Sequence, residues 1–291
     1  MAHRKGPPSH SALLRWTSFI VVLANVAFIV DYATLSSATP VAEVVAKYGN
    51  AFVPKFFAQG LGGLVVAALA LFALYALWPR RRRRAVIYDR LVVPLALTST
   101  LASAWLVAYR HEWIALSTAL VAAMMILAGV MFVRVTRVAP GAHSRWLRVP
   151  FALLFGALTI ALLVAITQWL RAEGVPAALM REDASVAFLI FAVAVGGMVA
   201  LCYTDIVYPF VMALAIGAIF VANPAEHPLA SYALVAGVGM LLITGLAGIA
   251  DVWQPEPDLG KTTRRRLRVA DNDAPDPDWL LLEPTTSMHP R

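Results

Sequence analysis

The side chains that could carry catalysis lie outside the apolar segments of this 291-residue chain. All six histidines fall in tails or loops, and the one cysteine, Cys202, can form neither an intrachain disulfide nor a cysteine-based metal site. Serines and threonines within the apolar segments have no histidine or lysine at helical spacing that could act as a base. We therefore expect a protein that is not an enzyme and that holds neither a metal ion nor a cofactor.

Three aspartates lie at the edges of apolar segments, at Asp31, Asp205 and Asp251. Ion-coupled transporters and proton pumps generally need ionisable side chains at membrane depth, because the moving charge requires a partner there. These carboxylates are interpreted as groups in water near the membrane surface. Asp205 has a second interpretation, in which it accepts the free N–H groups at the start of the next helix.

The elements that must position these residues are eight apolar segments. Hydrophobic residues make up 60% of the chain and charged residues 14%, and the segments approach the ~20 residues that cross a bilayer. The sequence therefore predicts an all-α, polytopic membrane helical bundle. Pro94, Pro150 and Pro209 are each expected in the opening turn of a span, where a missing N–H is tolerated. The spans are predicted at about 14–30, 57–78, 91–109, 113–132, 149–170, 185–201, 206–222 and 232–251.

Basic residues crowd into alternate gaps between the spans. With both termini in the cytoplasm, 19 of the 24 lysines and arginines face inward and five face outward. This asymmetry predicts an N-in, C-in protein of the plasma membrane, in our interpretation the bacterial inner membrane. The pI near 9.9 then reflects topology, and no nucleic-acid motif accompanies the charge. We expect no nucleic-acid partner.

Two arginine clusters are candidate contacts for anionic lipid head groups, which attract each basic residue by roughly 1 kcal/mol near the surface. Control of topology alone is the alternative explanation for both clusters. The clusters comprise Arg80, Arg81, Arg82, Arg83 and Arg84 after the second span, and Arg264, Arg265, Arg266 and Arg268 after the last.

The predicted domain organisation has four parts: a cytoplasmic tail at 1–13, a five-helix membrane unit at 14–171, three further helices at 172–251, and a disordered tail at 252–291. Within the tail, Trp279 to Leu282 is either a docking motif for a protein partner or a segment resting on the membrane. The first span is alternatively a signal peptide with a cleavage site near Ser36-Ser37-Ala38.

The gap after the first span predicts a short amphipathic helix on the outer face. Thr39 can cap it, Pro40 suits its first position and Gly49 suits its exit. Two roles remain open for it: packing at the membrane interface, or a lid over a pocket between the helices. Its apolar side comprises Val41, Val44, Val45 and Tyr48.

The order of several motifs resembles the tryptophan-rich sensory protein family, also called the TspO/MBR or translocator protein family. The motifs are Glu43-Val44, Lys47-Tyr48, Phe52 and Pro54 before the second span, Ala104-Trp105 with the Tyr109 to Trp113 turn, and Arg148, Pro150-Phe151, Gly156 and Thr159 in the fifth. They cover roughly 14–170. The chain is most similar to the long bacterial branch, in which three helices follow the five-helix unit.

The resemblance implies a bundle that binds small hydrophobic, planar ligands such as tetrapyrroles or sterols beneath the first outer loop. The implied ligand-binding residues are Pro54, Trp105, Phe151, Gly156 and Thr159. The chain departs from the family pattern after Pro54, where Lys55 to Gly63 stands in place of an aromatic, Trp-Gly-containing entry. It also departs at Ala102, Ala157 and Ala165, which replace polar or aromatic side chains.

Three hypotheses follow about function. The first is a TspO-like, non-enzymatic protein that binds a hydrophobic ligand for sensing or transport. The second is a non-catalytic membrane scaffold or assembly protein that acts through its C-terminal tail, and the third is an uncoupled permease. The expected partners are membrane lipids, a hydrophobic small molecule, a protein at Trp279 to Leu282 and a second copy of the chain.

Overall fold

A computed structural model describes most of the membrane region of the chain. It covers residues 9–35, 41–48, 66–67, 69–74, 77, 82–138, 145–175, 183–222 and 228–253. Several predictions fall outside these ranges, namely those on Pro54, Arg80, Arg81, the cleavage site near Ser36, the second arginine cluster and Trp279 to Leu282. For Arg82, Arg83 and Arg84 the backbone alone is described.

The regular structure in the described ranges is helical throughout. Six of the helices are long and apolar enough to cross a membrane, and a seventh, Val207–Ala222, is apolar but shorter. Helical residues at 66–67, 69–74 and 77 fall within the second predicted span. The predicted polytopic bundle is therefore confirmed. The helices are α1 (Ser9–Leu35), α2 (Val41–Tyr48), α3 (Arg82–Arg110), α4 (Ile114–Val138), α5 (Arg145–Ala172), α6 (Asp183–Tyr203), α7 (Val207–Ala222) and α8 (Pro228–Trp253).

The long helices pack in two linked groups. In the first group, α3 contacts α1 and α4, and α4 contacts α5. In the second, α8 contacts both α6 and α7, and α7 joins the groups by packing on α5. Because α7 has helices on several sides, nine of its 16 residues are buried. Its apolar sequence thus suits contact with protein as well as with lipid.

The two ends of the bundle carry different polar contacts. At the predicted cytoplasmic end, called here the inner end, Arg15 of α1 donates a 2.6 Å hydrogen bond from Nε to Asp89 of α3. Arg15 is buried and Asp89 half-buried, so removing the carboxylate would leave a buried charge without its counter-ion. The opposite, outer end carries α2 and the turn between α3 and α4.

Pro94 lies inside α3 and Pro150 inside α5, so the prediction of an opening-turn position was wrong for both, whereas Pro209 lies in the first turn of α7. The reason is that α3 begins at Arg82, well before the predicted span. A proline inside a helix removes the N–H that would bond the carbonyl four residues earlier, here that of Arg90. Arg134 of α4 donates to this Arg90 carbonyl at 3.4 Å. A neighbouring helix thus supplies the donor that the proline lacks.

Asp205 forms the N-cap of α7. Its Oδ1 accepts hydrogen bonds of 2.9 Å from the backbone N–H groups of Val207 and Tyr208. The carboxylate is buried, which contradicts the interpretation of Asp205 as a water-exposed group and confirms the capping alternative. A cap satisfies two N–H groups that have no partner within the helix, and so fixes where the short α7 begins.

Candidate functional site

The short helix α2 lies over the outer ends of α3 and α5. Its Val44 side chain is fully buried and forms a cluster with Tyr109 and Ile114, against which Trp105 also packs. The other three residues predicted on the apolar side of α2, Val41, Val45 and Tyr48, are half-buried on the same cluster. This spacing is that of one helix face, as the sequence predicts. The role of α2 as a lid stays a prediction.

Glu112, in the turn between α3 and α4, holds the end of α2. Its Oε2 accepts a 2.9 Å hydrogen bond from the Tyr48 hydroxyl and a charge-assisted bond from the Lys47 ammonium group. Glu112 has a φ of 59°, a left-handed conformation that costs roughly 1–2 kcal/mol for a residue with a side chain. Both bonds run from α2 to this one carboxylate, and we call the three residues the latch.

The latch also shifts the titration of its two ionisable partners. The hydrogen bond from Lys47 holds the pKa of the Glu112 carboxyl below its ordinary value of 4.5. The same bond raises the pKa of the Lys47 ammonium group above 10.5. Both groups are therefore charged around neutral pH, the state in which an N–H···O bond between them is strongest.

Beneath α2, two buried polar side chains join α3 to α5. The Gln168 side-chain amide donates a 3.0 Å hydrogen bond to the Tyr109 hydroxyl. Both side chains are at least 96% buried. A buried amide or hydroxyl without a partner costs roughly 1–3 kcal/mol, so each side chain stabilises the position of the other. We call Tyr109 and Gln168 the polar pair.

Trp105 forms the apolar surface below the polar pair. Its ring stacks on that of Tyr109, with centroids 5.4 Å apart and an interplanar angle of 27°. The same tryptophan packs on a second cluster built from α3, α4 and α5. This cluster is apolar throughout and comprises Val121, Met124 and Ala165, with Leu101, Ala102, Leu158 and Leu162 against them.

Arg110 is a buried cation at the same end of the bundle, and it ties α3 to α1. Its guanidinium group donates to the backbone carbonyl of Tyr32 and lies over the Tyr32 ring at 4.9 Å from the centroid. Arg110 therefore contributes to helix packing. Arg110 and Lys47, two cations at this end of the bundle, both have protein partners.

The structure separates the residues that the family resemblance groups into one pocket. Phe151 packs edge-to-face on Phe72, with centroids 4.7 Å apart, in the main core. Ala165, which packs beside Trp105, lies 14 residues further along α5, or about 21 Å at the helical rise. Phe151 thus lies far towards the inner end, and Trp105 towards the outer end.

Gly156 and Thr159 face α7. The Thr159 hydroxyl is 3.0 Å from the Tyr208 hydroxyl, and a Cβ on Gly156 would lie 3.0 Å from Val211 Cγ1. These two residues therefore come together at the junction of α5 with α7, apart from Trp105. Of the predicted ligand-binding residues, Trp105 alone lies beneath α2, and Pro54 is outside the described residues.

Glu112, Tyr109 and Gln168 were not predicted as site residues. Tyr109 follows Trp105 by four residues, and Gln168 follows Ala165 by three, so helical spacing places each on the face of its neighbour. Gln168 is also a polar residue within an apolar span. These signals were present in the sequence, but the contacts between helices were not. Within the described ranges, no group of three histidine, cysteine, aspartate or glutamate side chains could hold a metal ion.

The bundle and its outer site define a polytopic, α-helical membrane protein. The family model described as TSPO-like protein matches residues 12–247. Because this match covers most of the chain, the protein belongs to the TSPO-like family. The match also includes α6, α7 and most of α8, which extends the likeness beyond 14–170. Neither a curated protein nor a solved structure matches the chain.

Proposed function

We propose that this protein binds a small, planar, hydrophobic ligand between α2 and the Trp105 surface, without catalysing a reaction. Ligand binding would serve sensing or transport in the bacterial inner membrane. The observation that carries the proposal is the packing of α2 over Trp105 and Tyr109. An apolar surface with an aromatic ring and a few placed polar groups is typical of small-molecule sites.

The weak attachment of α2 supports a role as a lid. Among the described side chains of α2, Val44 is fully buried, which contributes about 1.5–3 kcal/mol, and the half-buried Val41, Val45 and Tyr48 contribute less each. The latch adds two bonds at the partly exposed rim. A ligand that enters beneath α2 would replace the contacts of Val44 with its own apolar surface, so the cost of lifting the helix would be small.

A fluorescence titration tests the proposal. The protein in lipid nanodiscs is titrated with protoporphyrin, because tetrapyrroles are the class that the family resemblance implies, and with an uncharged planar hydrocarbon. We expect saturable quenching by at least one of these two ligands, largely lost in Trp105→Phe and retained in Trp169→Phe. Trp169 is the matched control, since it lies at the same end of the bundle but bonds Glu173. Quenching that saturates with neither ligand, or is equal in both variants, would refute the site.

A flux measurement separates sensing from transport. Proteoliposomes are loaded with the ligand that binds best, and its release is followed with and without Glu112→Gln. Faster release from proteoliposomes with Glu112→Gln than from those with the unchanged protein supports transport. In that case the opening of α2 would limit the rate at which the ligand crosses the membrane. Saturable binding, with ligand release no faster than from ligand-loaded liposomes that lack the protein, supports sensing.

A further inference from the structure

The proton of the Tyr109 hydroxyl has no acceptor among the residues that the structure describes. The hydroxyl oxygen accepts the bond from Gln168. A phenol can accept and donate at once, so this bond does not use the phenolic proton. The bond from Gln168 therefore leaves the Tyr109 proton available for a further acceptor, beside the face of Trp105 and beneath α2.

The surroundings of this donor favour a neutral ligand. The cluster on which Trp105 packs is apolar, and burying an unpaired carboxylate among apolar groups is strongly unfavourable. Lys47 is bonded to Glu112, and Arg110 to the Tyr32 carbonyl. A ligand carboxylate would have to take one of these cations from its present partner, whereas a ligand carbonyl would need the Tyr109 proton alone.

From this arrangement we infer that the site selects a neutral, planar, apolar ligand with one hydrogen-bond acceptor, such as a ketone or ester carbonyl, which takes the proton of Tyr109. The inference rests on the proposed function and deepens it. Trp105 supplies the flat contact surface, and Val44 closes the site from above. Tyr109 determines which end of the ligand faces α2.

Three matched probes test the inference in nanodiscs: anthracene, 2-acetylanthracene and anthracene-2-carboxylate. Binding is followed by energy transfer from tryptophan, with empty nanodiscs as the reference for partitioning into lipid. We expect the ketone to bind about 3- to 10-fold more tightly than the hydrocarbon, the range of one net hydrogen bond. The carboxylate should bind most weakly.

The variant Tyr109→Phe should lower the affinity for the ketone to that for anthracene, so that the preference disappears when the two probes are compared within the same variant. Because this variant leaves the Gln168 amide without its acceptor, the double variant Tyr109→Phe/Gln168→Leu provides a second test that removes both polar groups together. It should show the same loss of preference. Equal affinities for the ketone and anthracene, in variants that still bind anthracene saturably, are a result that a general packing defect would not give, because such a defect would weaken both probes alike.

The possible failures are distinguishable. Equal binding of the ketone and the hydrocarbon, or a ketone preference that survives in both variants, would overturn the role of Tyr109 and leave the proposed ligand site standing. Tightest binding of the carboxylate would overturn the neutrality of the ligand. Absence of saturable binding by all three probes would refute the proposed function and the inference together.

Discussion

The Tyr48 hydroxyl donates a 2.9 Å hydrogen bond to Glu112 Oε2 across 64 residues of sequence. This bond ties the end of α2 to the turn between α3 and α4. Lys47 bonds the same carboxylate, so the two polar attachments of α2 described here depend on one side chain. These two bonds, together with the packing of Val44, hold α2 over Trp105.

Replacing Glu112 with glutamine should loosen α2 without unfolding the bundle. The variant loses the charge that strengthens the bonds from Lys47 and Tyr48, so we expect amide hydrogen exchange in 41–48 to become several-fold faster. Glu43→Gln is the matched control, because it removes the same charge from an exposed position on α2. Equal effects of the two substitutions would show that overall charge, and not the latch, controls the helix.

The latch should be independent of pH across the neutral range. The pKa of Glu112 is lowered, so its contribution is present above 4.5 and is lost as the pH falls through the lowered value. The pKa of Lys47 is raised, so its contribution is present below 10.5 and is lost as the pH rises through the raised value.

We therefore expect exchange in 41–48, corrected for the intrinsic rate, to be flat from about pH 5.5 to about pH 9.5. Opening of α2 should increase as the pH falls below this window. The Glu112→Gln variant should lack this increase at acidic pH. A transition inside this window would contradict the assignment of the latch to Glu112 and Lys47.

The bond between Thr159 and Tyr208 should stabilise the junction of α5 with α7. Polar contacts between membrane helices contribute about 0.6 kcal/mol on average and up to about 1.7 kcal/mol. A double-mutant cycle with Thr159→Val and Tyr208→Phe, measured by unfolding in mixed detergent micelles, should give a coupling energy in this range. Thr136→Val is the control, because the Thr136 hydroxyl bonds carbonyls of its own helix. A coupling energy of zero would contradict the assignment.

Gly156 should be required for the close approach of α5 and α7. A Cβ at this position would lie 3.0 Å and 3.1 Å from two atoms of the buried Val211. Overpacking of this kind costs about 1–3 kcal/mol, so Gly156→Ala should lower the free energy of unfolding by about 1 kcal/mol after the gain in helix propensity. Gly217→Ala, with nothing within 4 Å, should be neutral or stabilising. A Gly156→Ala variant more stable than Gly217→Ala would show that α5 and α7 are less tightly packed at Gly156 than the structure indicates.

The helical architecture could be predicted because lipid imposes a strong constraint on sequence. Each span must be long and apolar, and the face of α2 is visible in the spacing of Val41, Val44, Val45 and Tyr48. The helix ends were less predictable: α3 extends far beyond its apolar part, which placed Pro94 in its interior. Apolarity reports where the membrane lies, and a helix can continue past it.

The site was less predictable because it depends on contacts between distant segments. Glu112 stands in a short loop, and its partners are more than 60 residues earlier in the chain. The family resemblance orders motifs along the chain but does not give their depth in the membrane, so it groups Phe151 with Trp105. Depth follows from helix length and packing, which place the two residues towards opposite ends of the bundle.

Photolabelling tests the central claim most directly, namely that the ligand lies beneath α2 at the outer end. The protein in nanodiscs is irradiated with an anthracene that carries a small diazirine, and the labelled peptides are identified by mass spectrometry with excess 2-acetylanthracene as competitor. We predict competed labels in 41–48 and around Trp105, Tyr109 and Gln168. Competed labels confined to the Phe151 to Thr159 segment, with none on α2 or near Trp105, would contradict the account.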